Sequence, residues 1–255
     1  MIIKDLIRIL ERFETNRKDF KTAEDVAKCF EEHCAKDILC NGYFEITWKE
    51  NGKEEPEKRI IDIGSIELYY HEEGKDAKIK DPIMYHTNDR GSYSKFIDKN
   101  KGFPYFKLGS FNLHSSGVDV TFENEENKYR ASFLIRSYRV LNKKEELWNQ
   151  KPRFDGCSTH IFDDMFPKGM FFMCDKEYSI EWKTLTTPKA QMDDPQLRIN
   201  VAEYKIVRER ENGTFVYEKA PIEIDESNFD EKIHLKSNGK FFKRDQRLWH
   251  FRRKE

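Results

Sequence analysis

The chain has 255 residues, with 46 Lys or Arg against 47 Asp or Glu, a formal net charge of −1, and 37% hydrophobic and 36% charged residues. Near-neutrality removes any global attraction for phosphate backbones, so nucleic-acid binding would need a local basic face. The 20 Phe, 11 Tyr and 4 Trp point to a ring-filled core rather than disorder.

The first stretch, Ile3, Leu6, Ile7, Leu10 and Phe13, has helical spacing, and Thr22 to Cys34 repeats it with Ala23, Val26, Ala27 and Phe30. From Gly42 the period changes to two. Tyr43 to Trp48 reads as a strand, Asn51-Gly52 as a turn, and Arg59 to Tyr70 as a second strand. Val118 to Phe122 and Ala131 to Arg136 form a further hairpin across the polar ENEENK loop, and strands are expected at Tyr178 to Trp182, Arg198 to Val207 and Leu248 to Arg252. No repeat or Pro/Ser/Gly linker marks a boundary. The expectation is one α+β domain, 1–255, with a mainly antiparallel, curved sheet and peripheral helices, residues 1–36 being an N-terminal helical segment packed on it.

No run approaches the roughly 20 apolar residues that cross a bilayer, and the start MIIKDLIRILERFE carries acidic charge where a secretion signal would be basic then apolar. Neither a membrane partner nor secretion is expected. Cys29, Cys34, Cys40, Cys157 and Cys174 are odd in number and lack a CxxC pair, so a reducing cytoplasm fits better than a disulfide framework or zinc finger. His71, His86 and His114 show no metal-ligand spacing, and P-loop, GxGxxG and GxSxG motifs are absent. No metal or cofactor is expected.

Glu67 sits between apolar neighbours in Ile66-Glu67-Leu68-Tyr69, where a carboxylate can serve as a general base or can simply face solvent. The loop DPIMYHTNDRGS gathers Asp81, Tyr85, His86, Asn88, Asp89 and Arg90, residue types that orient substrates or else satisfy their own turn. His114 and Ser116 precede Gly117 at a strand entrance, a place for close approach of another backbone or a ligand. Arg136 lies in the apolar run Phe133 to Tyr138 and needs an anionic or carbonyl partner; Asp119 across the hairpin is one, and a substrate is another. Cys157 and His160, three apart in one segment, lack the distant-segment assembly usual for a Cys/His nucleophile. Lys143-Lys144, Lys243-Arg244, Arg247 and Arg252-Arg253-Lys254 are interleaved with Trp148, Phe241, Phe242, Trp249 and Phe251, either as a nucleic-acid face or as solvated strand edges.

In order, segments from about Asp37 to Arg253 resemble the alkyladenine (3-methyladenine) DNA glycosylase superfamily. Arg59 to Tyr69 looks like that family's glutamate-bearing strand, followed by a His-bearing loop at Tyr85-His86. Leu134-Ile135-Arg136-Ser137 is similar to its arginine strand, and Phe154 to Phe166 to its Gly-Pro-Ser loop and helix. Leu197 to Val201 and Trp249 to Arg252 look like its closing strands. The resemblance implies that Glu67 activates the water attacking C1′ of a flipped damaged purine nucleotide. Arg136 and His86 would organise the site, and DNA would be the partner. Tyr69, Tyr85, His114, Ser116 and Asp119 are the candidate substrate-binding residues, and a monomer is expected. Where the family places a wedge tyrosine and a base-reading asparagine, this chain has His114 to Phe122 and neither residue. Duplex base flipping depends on such an inserted side chain. Two other readings therefore stand beside DNA base excision: a relative binding or cleaving a small nucleoside-like or single-stranded ligand, and a non-enzymatic interaction protein with a satisfied polar network.

Overall fold

The computed structural model describes residues 3–17, 20–50, 52–74, 76–81, 84, 103–114, 116–149, 152–167, 169, 178–198, 205–209, 215–219, 233–234, 241–243 and 247–254, with the side chains of 205–243 outside the description. The class is α+β with a curved antiparallel sheet and a few helices. Its residues fall into two compact units, 1–195 with 251–255, and 196–250.

In the first unit, α1 (Lys4–Asn16) buries Leu6, Ile9, Leu10 and Phe13, the face its spacing predicts. The second helix starts where expected. Thr22 caps α2 (Ala23–Phe30) in a capping box: Asp25 N–H donates to the Thr22 hydroxyl, and Thr22 N–H donates back to the Asp25 carboxylate. It runs beyond Cys34, through a π-helical turn at Glu31–Ala35 into α3 (Lys36–Cys40).

Gly42–Trp48 is β1 and Glu57–Glu72 is β2. A short β3 (Phe111–His114), which the sequence pattern does not disclose, leads into β4 (Gly117–Thr121) and β5 (Tyr129–Leu141). After a 3-10 turn at Lys144–Trp148 come β6 (Gly156–Cys157), α4 (Ile161–Met165) and β7 (Tyr178–Thr184). The sheet order is β3-β4-β5-β2-β1-β7, with β6 added to β5. The register of β2 on β5 shifts around Gly64 and Arg136, which bends the ladder.

Opposed residues of an antiparallel pair share a face, and alternate residues change face. Leu68 therefore stands with Phe133 and Val120, and Tyr70 with Ala131. This apolar side meets the helices: Phe13 lies edge-on to Phe122 at 5.2 Å and to Tyr70 at 6.0 Å, while Phe30 stacks on Phe122 at 5.6 Å and tilts against Phe251 at 5.4 Å.

The second unit contains β8 (Lys205–Glu209), β9 (Phe215–Lys219), β10 (Ile233–His234) and β11 (Phe241–Lys243), in the order β10-β11-β8-β9. Of the expected strand at Arg198 to Val207, residues 205–207 lie in β8, and 199–204 lie outside the described residues. The last strand is β12 (His250–Arg252).

Among the described residues no helix is long and apolar enough to cross a membrane, and Cys29, Cys34, Cys40 and Cys157 are free thiols. Cys174 lies outside the described residues.

Candidate active site

The other side of the same sheet region is polar. Glu67 on β2 opposes Leu134 on β5, Leu134 opposes Asp119 on β4, and Asp119 opposes Asn112 on β3. Glu67 and Asp119 therefore flank one leucine on one face, two strand spacings or about 10 Å apart along the backbone. Alternation adds Tyr69, Ser132 and Thr121 in the next row, and His114 beside Gly117.

Glu67 is 0% exposed. A carboxylate removed from water is costly unless paired and hydrogen-bonded. Both its oxygens are held: Oε1 lies 3.4 Å from Arg136 Nε, and Oε2 accepts a 3.0 Å hydrogen bond from the Tyr69 hydroxyl. The Arg136 side chain is 10% exposed. The sequence offered Asp119 as the partner of Arg136; the ion pair in the structure is with Glu67. Asp119 lies instead 3.2 Å from His114 Nε2. The His114 ring is oriented from its other side, since Nδ1 accepts a 3.2 Å hydrogen bond from Ser116 N–H. Nδ1 is thus the acceptor side of the ring, and Nε2 is the atom beside the carboxylate.

Six of the expected site residues, Glu67, Tyr69, Arg136, Asp119, His114 and Ser116, the last through its backbone, thus fall in this polar region of the sheet. Tyr85, His86, Asn88, Asp89 and Arg90 lie outside the described residues. Asp81 is buried, and its N–H donates to His71 Nδ1 at 3.1 Å.

Gly117 adopts φ +138°, and a Cβ there would lie 2.7 Å from the Ser158 carbonyl oxygen. The close backbone approach anticipated at this glycine is that of the Cys157–His160 turn, and the same Cβ would also lie 3.0 Å from Leu134 Cδ1. Gly117→Ala is expected to cost about 1–3 kcal/mol, through positive φ and overpacking together. A urea midpoint equal to the wild type would contradict it.

Arg136→Ala would leave Glu67 buried without its cation and is expected to cost about 2 kcal/mol, read as a lower urea midpoint. Arg136→Lys should recover part of it. Unchanged stability in Arg136→Ala would show that the pair does not compensate Glu67.

Sequence reasoning passed over Ser132. Its hydroxyl is buried and has no hydrogen-bond partner among the described residues, in the row between Tyr69 and Thr121. The signal was present in β5, where Arg130, Ser132, Arg136, Ser137 and Arg139 interrupt the apolar residues. Arg130 is sealed in a clamp: Nε pairs with Glu73, Nη1 donates to Glu123 at 3.2 Å and to the Pro104 carbonyl at 2.9 Å, and Nη2 donates to the Phe103 carbonyl at 2.5 Å. It fixes segment 103–106 against the sheet.

Two other expectations resolve as follows. Cys157 Sγ does lie 3.5 Å from His160 Nδ1 and 3.1 Å from the Thr159 hydroxyl, whose hydrogen bond is the main cause of a thiol pKa below its ordinary value. The C-terminal basic run is divided: Arg252 pairs with Asp193 at 2.6 Å, whereas Arg253 is 3% exposed and turned inward. Within the second unit, Arg198 and Arg247 lie 5.0 and 4.9 Å from the Trp249 ring. Among the described residues no group of three or more His, Cys, Asp and Glu side chains is gathered as around a metal ion.

Comparison with known protein families, curated proteins and solved structures finds no match for this chain.

Proposed function

We propose that the chain is an N-glycosidic hydrolase that excises a modified purine base, with Glu67 as the residue that activates water. The observation carrying this reading is the Glu67 arrangement: a fully buried carboxylate with one oxygen against Arg136 and the other held by Tyr69, sharing a face with Asp119. Water oxygen bonds to C1′ as Glu67 takes its proton, and the C1′–N9 bond breaks with its electron pair leaving on the purine. A cationic alkylated purine is a good leaving group and needs little acid assistance. Positive charge develops on the sugar as the bond breaks, and two carboxylates on one face are suited to stabilise it. Tyr69, His114, Ser116 and Asp119 would contact the nucleotide, and the ordered resemblance to alkyladenine DNA glycosylases supports the same assignment. In this reading the partner is DNA, the chain acts as a monomer, and its free thiols suit a reducing cytoplasm.

A second reading, a small nucleoside-like substrate, draws on the complete burial of Glu67 and on the inward turn of Arg253, which removes one cation from any basic groove. One experiment separates the two: release of free base from alkylated, deaminated and undamaged oligonucleotides, single- and double-stranded, beside the corresponding nucleosides. Release from alkylated oligonucleotides is the expected result. Release from nucleosides alone selects the second reading, and silence across the panel sinks both.

A further inference from the structure

Earlier on β2 stands a second buried charge centre in which Glu67 takes no part. Asp62 is enclosed by three cations: Oδ1 lies 2.6 Å from Lys189 Nζ and 2.9 Å from Arg253 Nη1, and Oδ2 lies 2.7 Å from Arg139 Nε and 2.8 Å from Arg253 Nη1. All four side chains are buried. One carboxylate against two guanidiniums and an ammonium leaves two positive charges uncompensated, a surplus that costs several kcal/mol per ion when withdrawn from water.

The cations differ in what they have left to offer. Arg139 Nη2 donates to the carbonyls of Glu146 and Leu147, both at 3.1 Å, and Lys189 Nζ also donates to the Gly42 carbonyl. Arg253 spends Nη1 on Asp62, while its Nε is sealed from solvent and has no hydrogen bond among the described residues. The Nε–H lies beside Nη2 on the side-on edge of the guanidinium, the two-donor fork that matches an oxyanion. Phe154, half-buried, lies over both guanidiniums, 5.5 Å from Arg139 and 4.9 Å from Arg253. Gly64 makes room for that ring, since a Cβ there would come within 2.6 Å of it.

We propose that this centre binds a tetrahedral dianion, inorganic phosphate, on the side-on fork of Arg253, with Arg139 and Lys189 supplying the balancing charge. A dianion cancels the surplus of two; a carboxylate would cancel half of it. The Phe154 ring closes the site from water, which strengthens each contact inside it.

The test is thermal unfolding of the full chain near neutral pH at constant ionic strength, in chloride, acetate or phosphate. Wild type should gain about 5 °C in Tm at a hundredfold excess of phosphate over Kd, with saturation. Acetate should give no such gain. Glu67→Gln should keep the phosphate gain, so the result is separate from the glycosidase reading, and Arg253→Lys, with the charge but without the fork, should lose it. Equal gains in wild type and Arg253→Lys, or no gain in wild type up to about 10 mM phosphate, would overturn the proposal. Should Arg253→Lys fail to fold, calorimetric titration of wild type with phosphate decides: one saturable site per chain supports it, and heat without saturation refutes it.

Discussion

Asp62→Ala is expected to lower the unfolding free energy by about 3–5 kcal/mol, the largest stability loss of any single substitution considered, because it leaves three buried cations facing one another. Denaturant midpoints measure it, with Lys189→Met as the companion. Removing Lys189 as well takes one stranded charge away, so the double variant should be more stable than Asp62→Ala alone. A midpoint for Asp62→Ala within error of wild type would show that the centre contributes little to stability.

The same centre sets a pH dependence. Burial pushes the Lys189 ammonium down to about 8, against the pull of Asp62 in the other direction. The unfolded chain keeps that proton up to about pH 10.4. Between about 8 and 10.4 the unfolded state therefore binds more protons, and this residue makes stability rise with pH. For Asp62, burial opposes ionisation, but Lys189, Arg253 and Arg139 outweigh it and hold the carboxyl below its usual range. Its contribution is present above the unfolded value of about 3.9 and is lost as pH falls through the lower folded value. Buried tyrosines such as Tyr70 titrate in the opposite sense at high pH. The Lys189 contribution is therefore read as the difference between wild type and Lys189→Met across pH 8 to 10, a difference that should grow with pH.

Glu67→Gln is expected to reduce base release by about 10²–10⁴-fold while ligand binding persists. The amide retains the shape and can still accept from the Tyr69 hydroxyl, but it cannot take the proton from water. Single-turnover release measures the chemical step, and binding of the same oligonucleotide to the inactive variant measures the rest. Turnover equal to wild type would remove Glu67 from the role of base. Tyr69→Phe should show a smaller loss, since it frees one oxygen of the carboxylate without removing it.

Much of the architecture is legible in the sequence because it is written in local periods. The 3.6-residue pattern around Leu6 and Phe13 and the two-residue pattern from Tyr43 and from Val118 specify which side chains share a face, and α1, β1, β4 and β5 follow. The Thr22 cap is likewise local. Glu67 and Arg136 stand out as charges in apolar runs, and such residues must find partners. Which partner each one finds is a tertiary matter, because the choice depends on strand register and on segments far along the chain. Register set Glu67 beside Leu134, and so Arg136 went to Glu67 and Asp119 to His114. Asp62 within Ile60-Ile61-Asp62-Ile63 gives the same kind of signal, but nothing near it in sequence foretells Lys189 or Arg253, which arrive from the end of the first unit's long path. Arg253 reads as one of three basic residues in a run, and the fold turns it inward onto Asp62. Composition and periodicity thus determined the class of the fold and the residues that could not stay unpaired. Only the packed structure decided the pairs, since the free energy of a buried charge depends on what surrounds it in space.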